Sequence, residues 1–255
     1  MSRWHTIWAI IEKEMYVFFK YFHSEVSFAV IFPVLMIWTM EVGLGDAQID
    51  WLPEGVSYAT FIMPGLIMMT VISTGFFNTG FVIMFEKEYS DAFDGLVQTP
   101  VTTTEIALAK ILSGTVKSLI NGLISLAVVL LFIEVSFSAS WVLLPVIFAA
   151  CGFFFSCIGL AMGTWLKRGY QLGTLGNMLI FPMTFFGGLF FSVSQIPESM
   201  QVVVNLNPVT WMITALREVV VYGGWSVGWE MLGVLLISIP LFIGAWRLFH
   251  RLVIN

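Results

Sequence analysis

The sequence predicts an all-α integral membrane protein with six transmembrane helices, an N-terminal amphipathic interfacial helix, and a re-entrant outer hairpin between spans five and six. Three observations carry this. Of 255 residues, 58% are apolar and only 11% are charged, less than half the roughly 25% of an ordinary soluble domain. Six apolar stretches reach the ~20 residues that cross a ~30 Å hydrocarbon layer. The Lys and Arg residues segregate to alternate connections, as cytoplasmic loops require. A water-soluble globule and a disordered chain are excluded. Nucleic acid is not an expected partner, because the formal net charge is -5 and no basic cluster exceeds two neighbours.

Residues 1–25 are expected to form an interfacial element lying in the headgroup plane, the alternative being a short soluble helix packed against a partner. Trp4, Ile7, Trp8, Ile11, Met15, Phe18, Phe19 and Phe22 recur at helical spacing, while Arg3, His5, Glu12, Lys13 and Lys20 lie largely off that stripe. Glu12, Lys13, Glu14 and Lys20 interrupt the apolar core that a secretory signal needs, so the segment is expected to be retained. The spans follow at about 26–44, 58–85, 106–133, 141–166, 172–193 and 231–249. A seventh run, 202–216, is short and holds Asn205, Asn207 and Pro208, which suits a re-entrant segment within 194–230 better than a lipid-exposed crossing. One transmembrane domain is expected over 1–255.

Charge decides between six and seven crossings. With the N-terminus inside, six crossings keep ten of the eleven Lys and Arg residues inside and leave only Arg217 out. A seventh crossing would put Arg247 and Arg251 outside. Both termini are therefore expected in the cytoplasm. Lys110 and Lys117 fall in the inner turns of the third span, where long side chains can snorkel toward water.

The longest internal hydrophilic connection, 86–105, reads EKEYSDAFDGLVQTPVTTTE. An apolar Phe-Leu-Val patch flanked by carboxylates suits either a docking site for a cytosolic partner or a turn at the membrane surface. A threonine after Pro100 is available to cap the next helix.

The chain lacks a G-x-x-x-x-G-K-[ST] loop, H-E-x-x-H and G-x-S-x-G, so the sequence predicts no enzyme and no nucleotide held by this chain. The three histidines and two cysteines are not spaced for a metal or a disulfide framework. The spans carry mild polar groups, among them Asn78, Asn121, Asn177 and Thr184, and a Met-rich stretch around Met68. These groups serve either interhelical hydrogen bonding and packing or the lining of a substrate pathway.

Two stretches, FDGLVQTPVTTTEIALAKIL (93–112) and FPMTFFGGLFFSVSQIPESMQVVVNLNPVTWMITALRE (181–218), together with the six-span layout, resemble the membrane-spanning permeases of type-2 ATP-binding-cassette exporters. Drug-resistance and lipo-oligosaccharide export permeases belong to that group. The resemblance covers nearly the whole chain. It implies a second permease copy, as a homodimer, two cytosolic ATPase subunits, ATP and Mg bound by those partners, and a bacterial cytoplasmic membrane location. It also implies a coupling element at Asp91, Phe93, Asp94, Gly95, Leu96, Thr99 and Pro100. Many relatives carry a glycine before a glutamate there; here Ser90 and Asp91 occupy the glycine's neighbourhood and Asp94 matches the glutamate. Pro197, Asn207, Pro208 and Arg217 fall in the external hairpin, with either a gating or a purely structural role. The expected cargo is an amphipathic or hydrophobic molecule: a drug, a lipid or a glycan-lipid. An ion-coupled carrier or channel, and a non-transporting scaffold, are the alternatives.

Overall fold

The structure, a computed structural model, describes residues 3–44, 51–52, 56–89 and 101–254. Among the described residues every regular element is helical. In chain order these are α1 (Arg3–Lys20), α2 (Phe22–Leu44), α3 (Tyr58–Tyr89), α4 (Thr103–Val129), α5 (Leu144–Trp165), α6 (Gly169–Phe186), α7 (Glu198–Leu206), α8 (Pro208–Val220) and α9 (Gly228–Ile254). Short 3-10 turns at Ala139–Leu143 and Val193–Gln195 precede α5 and α7.

Among the described residues, five helical stretches are long and apolar enough to cross a membrane: Phe22–Gly43, Tyr58–Lys87, Thr103–Val129, Ala139–Trp165 and Gly228–Leu252. They coincide with five of the six expected spans. The stretch expected at 172–193 is α6, which has 18 residues and stops at Phe186. Gln171, Asn177 and three glycines dilute its apolar character. The chain then turns at Gly188, whose φ of +84° lies in the left-handed region that favours glycine.

Helix α3 is the axis of the molecule, contacting α2, α4, α5, α6 and α8. Its closest neighbour is α5, and glycine makes that closeness possible. A Cβ on Gly159 would overlap the Phe76 carbonyl, and one on Gly163 would come within 2.5 Å of the Gly80 carbonyl. Between membrane helices, where apolar side chains gain nothing by leaving lipid, such backbone approach is what dispersion forces can use. Helices α2 and α9 are peripheral and expose rows of large apolar side chains, including Trp38 and Leu236.

Helix α1 departs from a simple surface helix. Ile7, Ile10, Glu14 and Phe18 form one buried stripe along it. Ile7 and Ile10 cluster with Ile106, Ala107 and Ile111 near the start of α4. Further along α1, Phe18 clusters with Val26 and Ala29, with Ile120 and Ile124 packed on them. Progress along one helix matches progress along the other, so α1 runs beside α4 in the same direction. One edge of the predicted apolar stripe is buried in protein, while Trp4, Trp8 and Phe19 remain exposed. The helix breaks at Tyr21, so Glu25 already belongs to the first turn of α2.

Candidate functional site

We call the end of the bundle where α3 stops and α4 starts proximal, and the opposite end distal. At the proximal end α4 opens with a reciprocal cap. The Glu105 N–H donates to Thr102 Oγ1 at 3.3 Å, and the Thr102 N–H donates to Glu105 Oε2 at 2.8 Å. Thr102 is one of the threonines singled out for this role in the sequence.

Inside this end lies a cluster of buried ions. Lys110 Nζ donates to Glu14 Oε1 at 2.7 Å and to Glu86 Oε1 at 2.5 Å, joining α4 to both α1 and α3. Lys13 reaches Glu86 Oε1 at 3.0 Å from the rim. Lys117 donates to Asn78 Oδ1 at 3.2 Å and lies 3.5 Å from Glu14 Oε2. Asn78 Nδ2 in turn donates to Glu25 Oε2 at 3.0 Å. The Lys110 side chain is 1% exposed and that of Lys117 4%. The expected snorkelling of both lysines is thus corrected. Helix α1 covers the face of α4 that bears them, and Glu14 and Glu86 supply counter-charge at shorter range than water could be reached. Burial by itself would raise the Glu14 pKa, but Lys110 and Lys117, with the hydrogen bond from Lys110, outweigh it and hold the carboxyl below its ordinary range.

Sequence reasoning missed this cluster, although a signal existed. Glu14 lies four residues after Ile10 and seven after Ile7, inside the stripe that packs, and Lys110 and Lys117 are seven apart on one face of α4.

Both chain segments flanking 90–100 are anchored. Lys87 Nζ donates to the carbonyls of Gly163 (3.3 Å), Thr164 (2.8 Å) and Leu166 (3.1 Å), capping the end of α5 with a cation. On the other flank Thr103 Oγ1 pairs with His250 Nδ1 at 2.7 Å, and Trp246 Nε1 donates to Thr104 Oγ1 at 3.0 Å, tying α4 to α9. Asp91, Phe93, Asp94, Gly95, Leu96, Thr99 and Pro100, the expected coupling residues, lie outside the described residues.

The pathway candidates are dispersed. Asn78 lines a cavity of about 670 Å³ between α1, α2 and α3. Asn121 is buried beside it, donating to Thr74 Oγ1 at 3.1 Å and to the Glu25 carbonyl at 3.3 Å. Met68 is enclosed in the core, Thr184 donates to the Ile180 carbonyl within its own helix, and Asn177 is on the exposed face of α6.

At the distal end the helix pair α7–α8 breaks at Asn207-Pro208. Asn207 Oδ1 accepts from the Val209 N–H at 3.1 Å, capping α8, while its Nδ2 donates to the Met183 carbonyl at 2.6 Å. Pro208 occupies the first helical position, where no N–H is needed, and Pro197 stands just before α7. Arg217 is 8% exposed. Its Nε donates to the Phe61 carbonyl at 3.3 Å, its Nη2 to the Gly188 carbonyl at 2.8 Å, and its guanidinium sits 3.8 Å from the Phe61 ring centroid. One side chain thereby joins α8, the start of α3 and the turn after α6.

Among the described residues, an all-helical bundle with several membrane-length helices, anchors on both flanks of 90–100 and a short broken helix pair is the architecture of a multi-pass membrane protein. The chain belongs to the ABC-2 type transporter family, whose model matches residues 5–221. It is therefore the non-catalytic membrane component of a transporter, and the family implies a separate ATP-binding subunit. Among its relatives is the inner membrane transport permease YadH of Escherichia coli K12, 30% identical over 203 residues, covering 78% of this chain and 77% of that one. Nodulation protein J of Rhizobium meliloti is 25% identical over 217 residues, with 82% and 76% covered. Nodulation protein J of Bradyrhizobium diazoefficiens is 22% identical over 183 residues, with 72% and 70% covered.

Proposed function

We propose that the protein is the permease of an ATP-driven exporter that moves an amphipathic or hydrophobic molecule out of the cytoplasm or the inner leaflet of the bacterial inner membrane. Two copies pair, and two ATPase subunits bind beneath them and hold the ATP and Mg. The proximal end faces the cytosol, with both termini. Helix α6 completes six crossings, since its 18 residues rise about 27 Å at 1.5 Å each, and α7–α8 is the re-entrant hairpin on the outer side. The Lys and Arg distribution supports that orientation.

The observation that carries this reading is the anchoring of both flanks of 90–100. A pull passed along that segment would act on Lys87 at the end of α5 and on Thr103 and Thr104 beside α9. Work done on that segment by a partner would reach α3, α4, α5 and α9 together, and closure of the nucleotide-bound partners would shift the permease pair between inward- and outward-biased states. The distal linkage through Arg217 gives the outer hairpin a fixed relation to the start of α3. The test replaces Phe93 or Asp94 by Ala and measures co-purification and ATP turnover of the genetically adjacent ATPase. Loss of either is the expected result; unchanged binding and turnover would reject the assignment.

A further inference from the structure

The cavity between α1, α2 and α3 differs from the interhelical gaps around it in having an amphiphilic wall. Helix α3 presents two adjacent stripes to it. Phe77, Phe81 and Phe85 form an aromatic ridge, with Phe77 and Phe81 stacked at 5.8 Å between centroids and Phe81 and Phe85 tilted by 44° at 6.4 Å. Beside the ridge run Asn78, Val82 and Glu86. The ridge is open on one flank, Phe85 being 60% exposed.

The ionic groups facing this space come from four helices, and they are not equally partnered. Glu14 lies within 4 Å of Lys110 and Lys117, and Glu86 within 4 Å of Lys110 and Lys13. Glu25 is the exception. Among the described residues no cation lies within 4 Å of it, and its carboxylate accepts from the neutral amide of Asn78 at 3.0 Å. Lys117 reaches Glu25 only through that amide, and its charge is shared with Glu14. Glu25 also stands in the first turn of α2, where the helix dipole favours a carboxylate anion. It is half-buried and lines the same cavity as the three phenylalanines.

We propose that this cavity binds a cationic amphiphile, with Glu25 as counter-ion to its ammonium and the Phe77–Phe81–Phe85 ridge holding its apolar body. A carboxylate beside aromatic faces is the combination that selects an organic cation over a neutral or anionic molecule of the same shape. The volume falls in the range of small-molecule pockets. As a binding site it stands on its own geometry; as the place where cargo enters, it rests on the export reading above.

The experiment uses the full chain in phosphatidylcholine nanodiscs without ATPase. Three radiolabelled probes share a dodecyl chain and differ in head: trimethylammonium, phosphocholine and phosphate. Equilibrium dialysis is run against protein-free nanodiscs. Saturable binding of the trimethylammonium probe, at least about ten-fold tighter than of the phosphate probe, is expected. Glu25→Gln keeps an oxygen that accepts from Asn78 and is expected to abolish that preference, while Glu134→Gln, in the exposed α4–α5 connection, leaves it intact. Phe85→Ala, at an exposed position, is expected to weaken all three probes. Preference for the phosphate head would assign recognition to Lys117 and overturn the proposal. So would equal binding of all three, absence of saturable binding, or a wild-type preference in a folded Glu25→Gln protein. Failure of the export reading is seen separately, as undiminished ATPase coupling in the Phe93 and Asp94 variants, and leaves these binding results untouched.

Discussion

Lys110→Met tests most directly how the proximal end is held. The substitution keeps an unbranched side chain of similar reach and removes one charge. Lys110 is 1% exposed and serves Glu14 and Glu86 together, so its loss leaves two interior carboxylates without the cation they share, Lys13 reaching Glu86 from the rim and Lys117 lying farther from Glu14. Removing one partner of a buried ion pair costs about 3–5 kcal/mol, chiefly the desolvation of what stays behind. At roughly 2–4 °C per kcal/mol for a chain of this size, the midpoint should fall by about 6–20 °C. The assay is thermal unfolding of the purified protein in a mild non-ionic detergent, at low salt and at 1 M NaCl. Because the pairs are buried, salt should change the difference little. The double replacement Lys110→Met, Glu86→Gln should recover part of the loss, since Glu14 keeps Lys117 at 3.5 Å and Lys13, 52% exposed, reaches water. A Lys110→Met midpoint within about 3 °C of wild type, a difference of roughly 1 kcal/mol, would mean that the lysine reaches water, and the buried cluster would be refuted.

Three further outcomes follow from the same contacts. Gly163→Val should separate α3 from α5, at a cost of about 1–3 kcal/mol or more for overpacking, read as lower yield and an earlier thermal transition; wild-type behaviour would contradict the close backbone approach. Arg217→Ala removes two hydrogen bonds and the contact with Phe61, and should destabilise by about 2–4 kcal/mol. Arg217→Lys should recover only part of this, because an ammonium cannot reproduce the guanidinium fork. Acid should act through Glu14, whose native carboxyl titrates below its ordinary value of 4.5. Its contribution is complete above that value and fades as pH falls through the native pKa. Glu14→Gln should therefore lose less stability than wild type on acidification below about 4.5, and an equal loss would remove Glu14 from the account.

The contrast between the two ends of the molecule explains what was legible in the sequence. The broken pair α7–α8 could be read because Asn207-Pro208 is a local signal: a capping side chain followed by a residue that fits only the first helical turn. The Thr102 cap was legible for the same reason. The ion cluster was not, because its ionic pairs join residues 73 to 103 positions apart in the chain, save Glu86 and Lys110, which are 24 apart. Taken one at a time, each lysine near a span end reads as one that escapes to water. Helix α1 shows the same limit. Its apolar periodicity was visible, but not which edge of the stripe would meet protein and which would stay exposed.

By itself the sequence determined the solvent, the helical class and the approximate place of the spans. Those follow from apolar run length and from the need of every backbone polar group in hydrocarbon for a partner within its own segment. It also determined the family, through motifs that are local strings. Tertiary structure decided which charges are buried and with whom, that Arg217 joins three elements, and that Glu25 faces an aromatic cavity with no cation within 4 Å of its own carboxylate among the described residues. These are properties of distance between helices, and distance is set by packing such as the approach of Gly159 and Gly163 to α3, which composition and periodicity do not encode.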